Sequence, residues 1–271
     1  MVKKLLKQEY KYYIRTLIFV YPAVLLLGVS TRVIQFFEVN HPLYYLAFIG
    51  VMLIFIIGSA AAAIATEVLG VVRFYKNMYS SEGYLTFTLP VNNHEHLISK
   101  LIAHASCSII SLLVVLVSWI IAFAGTELSS LIVAELGAVF AGIDFTPYIG
   151  HIIIFVIEFI IIFAIGIVST PLTYYSCISI GQTAKKNRIL LAIGVYYLYT
   201  VIVQVISTVV SMIFTIVGLT GILDGLLEVV QAHPLATAHT IIWFMIIVSG
   251  GIAALMYYIN IRIMNNKLNL E

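Results

Sequence analysis

The sequence predicts an all-α integral membrane protein, on three observations: the composition, six long apolar stretches, and the distribution of basic residues. Of the 271 residues, 62% are hydrophobic and only 10% are charged. Soluble domains are about 45–50% apolar and about 25% charged. A soluble fold of this size could not bury so much apolar surface, so we expect the excess to face lipid.

Six stretches are long and apolar enough to cross a membrane, which takes about 20 residues each. The predicted spans are Thr16–Phe37, Leu43–Val72, Leu101–Gly125, Ile149–Gly181, Ile189–Leu219 and Thr237–Met264. Two further stretches, residues 128–143 and 215–230, carry acidic residues and are interpreted as short external or re-entrant segments. No room remains for a separate soluble domain, so residues 1–271 are predicted to form one transmembrane domain.

Basic residues predict the orientation, since cytoplasmic loops are rich in Lys and Arg. With six spans, every basic cluster falls on the side of the two termini. Only Arg32, near the opposite end of the first span, departs from this pattern. In chain order these clusters are Lys3, Lys4, Lys7, Lys11 and Arg15, then Arg73, Lys76 and Lys100, then Lys185, Lys186 and Arg188, then Arg262 and Lys267. The predicted outer loops carry acidic residues and no lysine: Glu38, then Glu127, Glu135 and Asp144, then Asp224 and Glu228. Both termini are therefore predicted to be cytoplasmic.

The first 15 residues have a pattern of their own. Val2, Leu6 and Tyr13 lie near one face of a helix, and lysines occupy much of the remainder. This pattern indicates an amphipathic helix lying along the inner membrane surface. A basic tail that only sets topology is the alternative.

The longest predicted cytoplasmic segment, residues 73–100, is rich in large apolar side chains, which need a surface to pack against. They are Phe74, Tyr75, Tyr79, Tyr84, Leu85, Phe87 and Leu89. We expect a tight turn near Gly83, where glycine tolerates backbone angles that other residues avoid, and a break at Pro90. An Asn92–Glu95 capping box is expected to restart a helix.

Two motifs carry a family resemblance: Tyr-Ser-Ser-Glu-Gly-Tyr-Leu-Thr-Phe-Thr-Leu-Pro-Val at residues 79–91 and, more weakly, residues 174–182. They resemble small six-span permease subunits of bacterial ABC transporters of the second, exporter-like type, found in Gram-positive bacteria. The resemblance implies a location in the bacterial cytoplasmic membrane. It also implies a coupling helix that docks on a separate ATP-binding subunit, and an assembly of two permeases, identical or different, with two ATPases.

The resemblance also implies which residues dock. They are Tyr79, Glu82, Gly83, Tyr84, Leu85, Thr86, Phe87 and Pro90. Within this set, Tyr84, Leu85 and Phe87 are expected to enter a groove on the ATPase, with Glu82 at its rim. Packing of the loop against the inner ends of the chain's own helices is the alternative role.

Several polar residues lie inside or near the spans. Glu158 is deep in the fourth span, where an ionisable group is costly unless it is paired or faces a wet cavity. It is interpreted as a pathway group, or as a structural one bonded to Gln204, Ser207 or another polar group of a neighbouring helix. Glu67 is expected to pair with Lys100 or Lys185, or to lie at the membrane interface. His104 and His151, near the ends of spans, are also expected at the interface.

Missing motifs restrict the function. No Gly-Lys dipeptide and hence no P-loop is present, so any ATPase would be a partner. Neither H-E-x-x-H nor G-x-S-x-G occurs, and no His/Asp/Glu cluster has metal-ligand spacing. We therefore expect no enzyme activity, no catalytic residue, no metal and no cofactor, and a net charge of +2 does not argue for nucleic acid.

Other functions stay open beside the ABC permease. The alternatives are a secondary transporter that needs no ATPase and a non-transporting immunity or scaffold protein in the membrane. A secondary transporter would predict several intramembrane charges or helices broken at the midplane. A peptide, a drug or a lipid would each suit an apolar cavity as substrate.

Overall fold

The computed structural model describes residues 2–37, 41–88, 90–220 and 232–266. These residues form α-helices joined by short turns, with a 3-10 turn at Thr146–Tyr148. The helices are α1 (Val2–Gln35), α2 (Pro42–Tyr79), α3 (Ser81–Phe87), α4 (Asn93–Phe123), α5 (Glu127–Ala141), α6 (Ile149–Gly181), α7 (Arg188–Thr220) and α8 (Pro234–Asn266). No strand occurs in the described ranges, so the all-α prediction is confirmed.

Six of these helices, α1, α2, α4, α6, α7 and α8, are long and apolar enough to cross a membrane, as predicted. They run from 31 residues in α4 to 38 in α2, or roughly 46 to 57 Å of helix. A bilayer core is about 30 Å thick, so the helices tilt or extend beyond it. The 15 residues of α5 reach only about 22 Å, too short for a span.

The chain divides into two compact units. The first comprises Met1–Phe74 and His94–Thr146, and the second comprises Tyr75–Asn93 and Pro147–Glu271. The first unit therefore holds α1, most of α2, α4 and α5, and the second holds α3, α6, α7 and α8. Asp224 and Glu228, in the second ambiguous stretch, lie outside the described residues, as do Glu38 and Lys267.

In the first unit, a buried carboxylate ties the start of α1 to two other helices. Glu9 accepts from Arg73 at 3.0 Å and from Lys100 at 2.7 Å, and all three side chains are mostly buried. Just beyond it, Tyr13 and Leu17 pack with Ala103 and Cys107 of α4. The amphipathic N-terminal segment is helical as predicted, but it continues without a break into the first span instead of forming a separate helix.

The expected partners of Glu67 were wrong. Its carboxylate bonds to the ring of His104 at 3.1 Å and accepts from Ser108 at 2.7 Å, both on α4. Lys100, the partner expected in this unit, binds Glu9 instead. His104 is fully buried, and its ring is the partner of the Glu67 carboxylate.

In the second unit, α6 packs against both α7 and α8. Pro171 lies inside α6. It has no backbone N–H to donate, and in a membrane no water can replace the lost hydrogen bond. Hydroxyls around it donate to carbonyls one turn back: Ser169 to Ile165, Thr170 to Gly166 and Thr173 to Ser169. These bonds occupy backbone acceptors near the proline, and α6 continues to Gly181.

Candidate functional site

The segment between α2 and α4 holds the short helix α3. Helix α2 ends at Tyr79, and the backbone of Ser80 is extended (φ −96°, ψ −174°) before α3 begins at Ser81. The turn expected near Gly83 lies three residues earlier: the chain bends at Ser80, whose carbonyl accepts from the Gly83 N–H at 2.7 Å, and Gly83 itself lies inside α3. Gly83 is also buried, so the position uses its small size and not a left-handed backbone.

Helix α3 has one face turned inward and one turned outward. Gly83 and Thr86, three residues apart, are buried, and the Thr86 hydroxyl donates to the carbonyl of Glu82 at 3.0 Å. On the other side, Tyr84 and Leu85 are 56% and 75% exposed. Glu82 is exposed beside them, Phe87 is half-buried, and Pro90 is exposed beyond the end of the helix.

A buried hydrogen-bond network holds the residue that precedes this segment. The hydroxyl of Tyr79 donates to Ser179 at 2.8 Å, and Ser179 donates to the Asn260 carbonyl oxygen at 2.8 Å. The Asn260 amide in turn donates to Ser176 at 2.7 Å. All four side chains are fully buried, so the end of α2 is fastened to α6 and α8 by satisfied polar groups.

A second contact holds the residue that follows the segment. Helix α4 begins at Asn93, directly after Asn92, with Glu95 in its first turn. The Asn93 amide donates to the Asn265 side-chain oxygen at 2.7 Å and to the Met264 carbonyl at 3.4 Å. Both ends of residues 80–92 are therefore attached to α8, about one turn apart at Asn260 and Met264.

The predicted docking residues thus fall into two groups. Glu82, Tyr84 and Leu85 share the outward face of α3, and Phe87 lies at its edge. Tyr79, Gly83 and Thr86 are buried and form the inward contacts of the segment, and Pro90 is exposed beyond the end of α3. The docking role of all eight residues stays a prediction.

Sequence reasoning missed Ser176, Ser179 and Asn260. Their signal was present, because each is a polar residue in an apolar run, and Ser176 and Ser179 lie three residues apart on one face of α6.

The intramembrane acid Glu158 belongs to a second polar feature of this unit. Its side chain is almost completely buried, and its Oε2 lies 2.8 Å from Nδ1 of His239 on α8. His239 Nε2 lies 3.1 Å from Nδ1 of His151, and the two rings are nearly parallel, with their centroids 5.3 Å apart. Phe155 covers the His239 ring at 4.2 Å.

The partner of Glu158 is therefore a histidine that the sequence did not single out. Gln204 is exposed on α7, with its amide 3.5 Å from the Thr208 hydroxyl of the same helix. Ser207 donates to the carbonyl of Gln204 at 2.9 Å. Neither bonds to Glu158 in the described structure, because both turn toward their own helix while His239 approaches from α8.

Comparisons with known proteins found no match to this chain among protein-family models, among curated proteins or among solved structures.

Proposed function

We propose that this chain is the membrane-spanning permease subunit of an ABC transporter, an exporter, driven by a separate ATP-binding subunit that docks on α3. The observation that carries this proposal is the outward face of α3, where Glu82, Tyr84 and Leu85 stand exposed on a helix attached at both ends. The resemblance of residues 79–91 to permeases of this type supports the same assignment. Exposed Tyr and Leu side chains beside a carboxylate suit an interface with an apolar centre and a polar rim.

The attachment of α3 suits the transmission of force. A docking element transmits motion only if it moves with the helices that line the pathway. Tyr79 and Asn93 hold the two ends of the segment to α6 and α8, so a displacement of α3 is passed to both helices. We place this segment in the cytoplasm on the distribution of basic residues, and we expect two permeases and two ATPases in a bacterial cytoplasmic membrane.

The test is Leu85→Ala. Truncation of an apolar anchor at the centre of an interface often costs about 2 kcal/mol, or roughly a thirtyfold weaker association. The tagged protein is purified from its native membranes, and the amount of Walker-motif ATPase per permease is measured by mass spectrometry. We expect the wild type to retain the ATPase and the variant to lose most of it while keeping its melting temperature. Phe87→Ala is a second variant, but that side chain is half-buried and also packs within the chain.

The matched control is Leu43→Ala, at the other end of α2. Leu43 is 67% exposed, close to the 75% of Leu85, so the two variants remove the same side chain from similarly open positions. The control is expected to keep the ATPase. Full association in Leu85→Ala, or an equal loss in both variants, would contradict docking on α3.

A secondary transporter without an ATPase is the second candidate, and the Glu158–His239–His151 chain favours it. Chains of acidic and histidine side chains within membrane helices are typical of proton-driven transport. Purification of the wild type without any Walker-motif ATPase, together with substrate uptake driven by a pH gradient alone, would support this candidate over the first.

A further inference from the structure

We propose that Glu158 is a proton-binding site and that His151 and His239 relay protons to it from the start of α6. This inference does not depend on docking at α3 or on an ATPase. Its basis is a continuous line of hydrogen bonds from a half-buried ring to a fully buried carboxylate. His151 is the third residue of α6 and Glu158 lies two turns further, so the line covers about 10 Å along the helix.

The hydrogen bonds define the direction of each donor when Glu158 is ionised. A carboxylate only accepts, so His239 donates from Nδ1 to Oε2. The Nε2 of a neutral His239 then carries no proton and accepts from Nδ1 of His151. His151 keeps its Nε2 as a vacant acceptor, and this is the atom that takes a proton from water.

One incoming proton reverses the whole chain. Binding at His151 Nε2 makes an imidazolium, which passes its Nδ1 proton to His239 Nε2. His239 passes its own Nδ1 proton to Oε2 of Glu158, which becomes a neutral carboxylic acid. Both rings end neutral with the other tautomer, the net change is one proton added to Glu158, and every hydrogen bond of the chain remains formed.

The second carboxylate oxygen shows why the site binds a proton. Oε1 of Glu158 is buried and has no hydrogen-bond partner among the described residues. An ionised carboxylate in the membrane interior is costly unless it is fully paired. In Glu158, Oε2 is hydrogen-bonded to His239 and Oε1 has no hydrogen bond. Uptake of a proton therefore removes a negative charge that only one hydrogen bond stabilises.

The described parts of the two helices that pack on α6 carry few titratable groups, and Asp224 and Glu228, between α7 and α8, lie outside the described residues. Helix α7, which also packs on α6, has no titratable group from Thr200 to Thr220, and α8 has none from Thr240 to Met256. His233 and Tyr148 flank the relay at the starts of α8 and α6, and both are exposed. The three side chains form a line, and no group of three or more His, Cys, Asp or Glu in the described part of the chain is arranged to hold a metal ion.

The test follows the proton by infrared difference spectroscopy on the purified protein in lipid, between about pH 9 and pH 4, where imidazoles and carboxyls titrate. The wild type should gain the carbonyl stretching band of a buried carboxylic acid as the pH falls. Glu158→Gln should lack that band, and Glu135→Gln, which removes an exposed carboxyl of α5, should keep it. If the wild type gains no such band, or if the band is also present in Glu158→Gln, Glu158 is not the proton-binding site.

The relay is tested by the rate at which the band appears after a pH jump. Transfer through a positioned acid–base group is commonly worth roughly a hundredfold or more, so His151→Gln should slow the rise by about that factor. A wild-type rate in that variant overturns the relay. In the unmodified protein, nitrogen NMR of the histidines should show His239 protonated at Nδ1 at high pH and at Nε2 at low pH. If the tautomer of His239 does not change with pH, the relay is overturned.

Discussion

Buried ionic side chains join helices that are far apart in the sequence. Glu9 lies in the third turn of α1, yet it binds Arg73 near the end of α2 and Lys100 in the third turn of α4. A buried carboxylate shared by two cations is costly to disturb, because the cations keep their desolvation cost when it is removed. The same positions that mark the predicted cytoplasmic side in the sequence therefore also hold the first unit together.

Glu9→Gln should destabilise the protein. It removes the charge that Arg73 and Lys100 share, and breaking a buried pair costs about 3 kcal/mol or more. The melting temperature of the purified protein in detergent is the measurement. Glu135→Gln, an exposed carboxyl of α5, should leave it unchanged. Equal melting temperatures for the wild type and Glu9→Gln would show that the triad adds no stability.

At the scale of elements, two helices of the first unit approach closely at a glycine. A Cβ placed on Gly28 of α1 would lie 2.7 Å from the backbone oxygen of Ser118 on α4. Backbone atoms of a packed helix cannot move aside as a flexible side chain can. Small residues permit this kind of approach between membrane helices, where association depends on packing.

Gly28→Ala should therefore weaken the packing of α1 on α4. Overpacking of this kind typically costs about 1–3 kcal/mol. Gly50→Ala is the matched control, because nothing lies within 4 Å of a Cβ at that position in α2. Since alanine favours helix over glycine by up to about 1 kcal/mol, the control should melt at the same temperature or higher. A lower melting temperature in Gly50→Ala than in Gly28→Ala would contradict the close approach.

At the scale of the whole molecule, large apolar side chains are exposed along most of the described helices. No side chain from Arg188 to Ile213 of α7 is buried, and that surface is mostly aliphatic or aromatic. Such a surface is stable only against lipid or another apolar partner. Six crossings would put both termini on one side, and the distribution of basic residues predicts that this side is the cytoplasm.

This orientation can be checked with single cysteines. Lys186 lies between α6 and α7, and Asp144 lies between α5 and α6; both are exposed. In intact cells, Asp144→Cys should react with an impermeant thiol reagent and Lys186→Cys should not. The native Cys107 and Cys177 are buried, so the wild type supplies the background. Labelling at position 186 without labelling at 144 would reverse the orientation.

The sequence by itself determined the class of the protein, the number of its spans and the segment that holds the candidate docking helix. These features follow from local properties: apolar length sets a span, and apolar residues in a polar loop mark a surface. Local patterns also misplaced details, since the break fell at Ser80 and not at Gly83. The position of the break depends on tertiary packing, because the chain turns at Ser80 so that α3 can bury Gly83 against its neighbours.

Only the tertiary structure decided which polar residues meet. His239 lies 81 residues from Glu158, Asn260 lies 81 from Ser179, and Lys100 lies 91 from Glu9. No periodicity relates such positions, because their contact depends on the rotation and depth at which one helix packs on another. The sequence therefore shows that Glu158 needs a partner, while the packing of α6 on α8 makes that partner His239 and connects it to His151.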